Sequence, residues 1–168
     1  WPLEVLKSVS DLASTHNLIS HMDGARLLNA VVASGVSAKE YAATVDTVWI
    51  DFSKGLGCPI GAAIAGSKDF IEAAWPWKQR LGGSMRQSGI LAAAGLYALD
   101  NNVDRLAIDH ANARQLATRL AQIPGVKVDP LSVETNIVII DVSEAAFSAP
   151  EISEKLLAAG IRIGAMDA

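Results

Sequence analysis

Short β-rich runs alternate along this chain with longer stretches whose apolar residues recur at helical spacing, the pattern of a sheet covered by helices. Leu3, Val5, Leu6, Val9 and Leu12 fall on one face of a helix predicted over 3–16. Leu18–Met22 is short enough for a buried strand, and the turn Asp23-Gly24 separates it from a second helical stretch, Ala25–Ala33. Ser37 can cap a short helix through Thr44, Thr47–Phe52 reads as the next strand, and Ser53–Pro59 as a loop. Ile60–Ala65 is a third strand. Ser67 caps a helix that Pro76 is expected to interrupt, and long helices are expected over 85–99 and 103–122. Strands at 126–128, 136–142 and 161–163 and a helix over 150–159 complete the series. The expected fold class is α/β, with a mostly parallel sheet carrying helices on both faces and a smaller C-terminal α+β domain. Residues 1–102 form the larger part and 103–168 the smaller.

Composition narrows the function. The chain has 168 residues, 51% of them hydrophobic, enough to build a core. Its net charge of −4 provides no positive field for phosphate backbones, so nucleic acid is not expected as a partner. The longest nearly apolar stretch, Ile90–Leu99, falls short of the ~18 residues of a membrane span and reads as a buried helix. One cysteine, Cys58, and no signal-like opening favour a reducing cytoplasmic setting. The start at Trp1-Pro2 and the stop at Asp167-Ala168, just after an expected strand, suggest a piece of a longer protein.

Two ionisable residues stand at expected strand ends: Asp23 in His-Met-Asp-Gly-Ala-Arg, and Lys54 in Asp-Phe-Ser-Lys-Gly-Leu-Gly, 31 positions later. Ligands of open α/β sheets bind outside the carboxyl ends of the strands, so both could face one crevice. A buried salt bridge or two solvated turn residues would explain either residue taken alone. Around the lysine, however, Gly55 and Gly57 keep the backbone free of Cβ atoms and Ser53 adds a hydroxyl. A bulky anion could approach, and a partly dehydrated amine can attack an aldehyde. A carboxylate such as Asp23 can keep a pyridine nitrogen protonated, which turns pyridoxal phosphate into an electron sink.

Three ordered runs carry a resemblance: His21–Ala30 (HMDGARLLNA), Ser53–Gly61 (SKGLGCPIG) and Leu81–Gly89 (LGGSMRQSG). Together they resemble the threonine aldolases, of the β-eliminating lyase group of fold type I pyridoxal phosphate enzymes, over about residues 1–164. The resemblance implies that Lys54 carries the cofactor as a Schiff base, that Asp23 pairs with its pyridinium nitrogen and that Ser53 helps hold its phosphate. Arg26 matches the arginine that grips the amino-acid carboxylate, a task suited to a planar fork. Arg86 matches one placed near the cofactor across a subunit interface, although capping or pairing near the helix start would also explain it. A homodimer or homotetramer with shared sites follows.

The implied reaction is cleavage of the Cα–Cβ bond of threonine or a related β-hydroxy-α-amino acid, giving glycine and an aldehyde. The residues do not name the general base. Where the family often has a lysine, seven positions before Arg86, Gln79 stands between Lys78 and Arg80. A cofactor-stacking histidine and phosphate-wrapping segment would lie before Trp1, and a second carboxylate-binding arginine beyond Ala168. β-Elimination or transamination on the same scaffold, or a non-catalytic half, are the alternatives. His21, two residues before Asp23, reads as a packed strand histidine, Cys58 as a small buried thiol, and Trp75 and Trp77 as packing residues. No Cys/His cluster has metal-ligand spacing.

Overall fold

A computed structural model describes residues Trp1–Met166. The chain divides into two compact units, Trp1–Ile108 and Asp109–Ala168. In the first, α1 (Leu3–Thr15) leads to β1 (His21–Asp23), α2 (Leu27–Ser34), α3 (Ala38–Ala42), β2 (Thr47–Asp51), β3 (Ala62–Ala65), α4 (Lys68–Arg80) and α5 (Gly89–Asn101). α6 (Leu106–Leu120) crosses the division, and α7 (Ala149–Ala158) belongs to the second unit.

The sheet runs β1-β2-β3 and is mixed. β1 and β2 are parallel, with His21 opposite Thr47 and Asp23 opposite Trp49. A parallel neighbour requires a crossover, which α2 and α3 supply. β3 lies antiparallel to β2, with Trp49 opposite Ile64 and Asp51 opposite Ala62. The short loop between them is tied by hydrogen bonds from Phe52 N–H to Gly61 O and from Cys58 N–H to Phe52 O, so the chain doubles back on itself.

Side chains alternate across a strand, so Met22, Val48 and Ile50 point to one face. That face packs with Leu3 and Leu6 of α1, Leu27 and Val31 of α2 and Tyr41 of α3. α3 is short, and a capping box fixes its start: Ser37 Oγ accepts from Glu40 N–H, and the Glu40 carboxylate accepts from Ser37 N–H. Gly35 closes α2 at φ 73°, a left-handed cap that favours glycine.

Several expectations from the sequence are corrected. Leu18 and Ile19 are exposed rather than in a buried strand. Pairing begins only at His21, because the Asp46 carboxylate captures Ser20 N–H and Oγ–H at 2.7 and 2.9 Å. α4 runs unbroken through Pro76. The long helix expected over 85–99 starts four residues later, at Gly89, after Gln87 takes a positive φ of 53°. α5 is not a buried helix either: of its residues only Ala98 is fully buried, against Leu56, Cys58 and Leu106. A helix apolar all round needs cover on every side, and within this unit only the stripe near Ala94 and Ala98 has it.

In the second unit, Ala113 and Ala117 of α6 pack with Val133, Val128 and Val138. The strands expected at 126–128 and 136–142 reduce to one antiparallel bridge, Lys127 to Asp141. Asp129 explains this on one side by capping a 3₁₀ turn, Pro130–Ser132, and Asp141 on the other by drawing Ser143 N–H into a tight turn. Residues 161–163 form no strand.

Candidate active site

The parallel pairing of β1 and β2 brings both carboxyl ends to the same edge of the sheet. Asp23 is the last residue of β1, and Lys54 follows the end of β2 by three. Residues in register share a sheet face, so Asp23 and Trp49 are side by side, and Asp51, two residues past Trp49, lies on that face too. The Lys54 ammonium reaches back over this patch. Its Nζ stands 5.3 Å from the centre of the Trp49 ring and 3.4 Å from Asp51 Oδ2. Trp49 is thus the common neighbour of the two residues the sequence singled out.

Local geometry explains how each is aimed. Asp23 Oδ1 accepts from Ala25 N–H at 3.1 Å, closing an Asx turn that leaves the second oxygen without a hydrogen bond among the described residues. The chain then passes β2 so closely that a Cβ on Gly24 would lie 2.5 Å from Trp49 O, a separation side chains do not tolerate. Only glycine therefore lets β1 end beside Trp49. Arg26, the N-cap of α2, is exposed and makes no ion pair among the described residues. Asp23 and Arg26 both line an open cavity of about 470 Å³ that also touches His21 and Tyr41; Lys54 does not.

Ser53 is engaged with Asp51. Its Oγ–H donates to Asp51 Oδ1 at 2.6 Å, and its N–H to the same oxygen at 2.7 Å. The hydroxyl proton is therefore already committed, and the Ser53 hydroxyl and amide hold the Asp51 carboxyl below the usual carboxylate range, with Lys54 adding a smaller effect. Lys54 itself remains reachable, with 38% of its side chain exposed. Asp51 was not singled out from the sequence. A carboxylate two residues before a serine and three before a lysine was the available signal. From the sequence, Trp49 reads only as a candidate member of an aromatic box with Trp75 and Trp77, not as a neighbour of Asp23 and Lys54.

Arg86 lies apart from this patch in sequence, in the exposed bend before α5, and makes no ion pair among the described residues. Lys78 and Arg80 each lie over a tryptophan of their own helix, Trp75 at 5.0 Å and Trp77 at 5.2 Å. His21 Nδ1 is 2.8 Å from Thr47 Oγ1, and Cys58 is buried with Sγ 3.5 Å from Ala94 O. Among the described residues no group of three or more His, Cys, Asp or Glu is placed to hold a metal ion, and no helix is long and apolar enough to cross a membrane.

A carboxylate and an amine at neighbouring carboxyl ends of parallel strands place the chain in the α/β class, in which such strand ends are the usual place for a ligand. Residues 1–145 match the model of the Beta-eliminating lyase family, and the chain belongs to that family. It is 43% identical over 164 residues to the low specificity L-threonine aldolase of Escherichia coli K12, covering 98% of this chain and 48% of that one. With the low-specificity L-threonine aldolase 1 of Arabidopsis thaliana it shares 42% identity over 144 residues, 86% of this chain and 40% of the relative. A proposed L-allo-threonine aldolase from Listeria monocytogenes superposes with a TM-score of 0.72 at 31% identity, over 81% of this chain and 38% of that structure. The fold is therefore the α/β fold of the threonine aldolases, fold type I, and the chain spans about half the length of the curated relatives it matches.

Proposed function

We propose that this chain belongs to a pyridoxal phosphate-dependent threonine aldolase, which cleaves threonine or a related β-hydroxy-α-amino acid to glycine and an aldehyde. The observation that carries the reading is the parallel β1–β2 pair, which sets Asp23 in register with Trp49, the residue whose ring the Lys54 amine lies over at 5.3 Å. That donor set fits the cofactor at its two distinctive points, an aldehyde and a ring nitrogen. When bound, pyridoxal phosphate supplies an electrophilic carbon and a ring that takes up the electron pair of the broken Cα–Cβ bond.

Lys54 Nζ is the amine that holds the cofactor's aldehyde carbon. The uncommitted oxygen of Asp23 keeps a proton on the ring nitrogen, which preserves the ring's electron demand. Arg26, unpaired and beside Asp23, takes the substrate carboxylate in a two-pronged grip and so fixes which Cα bond stands perpendicular to the ring. Ser53 serves the phosphate only by exchanging its bond to Asp51 for one to the ligand. Arg86 comes from a second copy in a homodimer or homotetramer. A buried free thiol at Cys58 suits a reducing cytoplasmic compartment.

The test uses the full-length protein. Threonine should yield glycine and acetaldehyde, borohydride should fix the cofactor to Lys54, and Lys54→Ala should abolish both the covalent adduct and turnover. Pyruvate or an oxo acid as product would move the reaction to another lyase or aminotransferase. Cofactor uptake and borohydride adduct unaltered by Lys54→Ala would overturn the assignment.

A further inference from the structure

The residues around Lys54 do more than present an amine. Its Nζ is held from two sides, by Asp51 Oδ2 at 3.4 Å and by the Trp49 ring at 5.3 Å. Asp51 is itself fixed: its side chain is only 12% exposed, and its other oxygen takes two hydrogen bonds from Ser53. A carboxylate so anchored has little freedom to follow a departing partner.

We propose that Asp51 and Trp49 form a resting cradle for the Lys54 ammonium while the lysine is detached from its cofactor, which makes Asp51 a positioning residue for amine exchange. This rests on the reading of Lys54 given above. Attachment forms a C=N bond, and the aldehyde oxygen leaves as water with two of the ammonium's three protons. The nitrogen then has one N–H where it had three, so its hold on Asp51 and on the ring face weakens. Asp51 thereby favours the detached lysine over the attached one, and an incoming amino-acid amine displaces Lys54 more readily than it would without the cradle.

The pair is partly exposed, which keeps the effect modest. An ion pair of this kind changes an equilibrium by about two- to fivefold. Asp51→Asn keeps an oxygen for Ser53 and removes the charge facing Lys54. In the full-length protein freed of cofactor, absorbance titration with pyridoxal phosphate should show Asp51→Asn binding it about two- to fivefold more tightly than the parent. In the loaded protein, the spectral dissociation constant for glycine should rise by a comparable factor. Asp51→Glu should return both values toward the parent, which a merely structural role would not predict. Trp49→Phe, with a weaker ring face, should shift both the same way by less, and it stands in if Asp51→Asn does not fold. Unchanged or weaker cofactor binding in Asp51→Asn and Trp49→Phe, with borohydride still labelling Lys54, would overturn the cradle alone. Loss of the label at Lys54 in the parent would overturn the reading beneath it.

Discussion

At the residue scale, two groups of titratable side chains both lose stabilisation in acid, each over its own pH range. Glu40, Asp46, Asp51, Asp141 and Glu151 all have carboxyls held below their ordinary range, in each case chiefly by hydrogen bonds from a nearby serine. Their stabilisation is complete above the ordinary carboxylate values and is lost as pH falls through the lowered ones. His110 on α6 is 8% exposed, and burial pushes its imidazole below the ordinary value. The folded state therefore favours the neutral ring, while the unfolded chain takes up a proton near pH 6.5. Stability due to His110 is full above that value and is lost as the pH drops below it, before the carboxylates titrate. The urea midpoint should therefore decline between about pH 7 and 5.5 in the parent, and His110→Gln should flatten that decline. An equal decline in His110→Gln would assign it to another group.

At the scale of elements, α4 shows why a local rule misjudged the chain. A proline in a helix interior lacks one N–H and crowds the preceding turn, at a cost of about 3 kcal/mol relative to alanine. Contacts along the same helix offset that cost. Ser67 Oγ accepts from Phe70 N–H at the start, Lys68 pairs with Glu72, and Lys78 lies over Trp75 across the proline itself. Asp69 in the first turn and Lys78 and Arg80 in the last also suit the helix dipole. Sequence pattern made the cap at Ser67 visible but not contacts that reach across Pro76. Pro76→Ala should then stabilise the protein by about 1–3 kcal/mol, measured in thermal or urea unfolding, with slower amide exchange along 72–80. A loss of stability would mean that the proline is required by the packing of α4.

At the scale of the whole molecule, strand-helix alternation and the strand-end positions of Asp23 and Lys54 were legible because both are written in local periodicity and turn chemistry. The antiparallel return of β3, the role of Asp51 and the exposure of α5 were not, because each depends on what a segment meets in space. α5 presents Ile90 at 80%, Leu96 at 65% and Tyr97 at 64% exposure, directly after the bend that carries Arg86. Apolar surface of that kind, beside an Arg86 that makes no ion pair among the described residues, is what the second-copy contact proposed above would cover. This arrangement has an outcome that a self-contained site cannot imitate. Lys54→Ala and Arg86→Ala proteins should each be inactive alone. After the two are mixed and reassociated as dimers, half of the molecules are hybrids, and each hybrid holds one site with both residues intact. Activity should recover to about one quarter of the parent value. If Arg86 served the site of its own chain, every hybrid site would lack one residue or the other, and the mixture would stay inactive at any ratio.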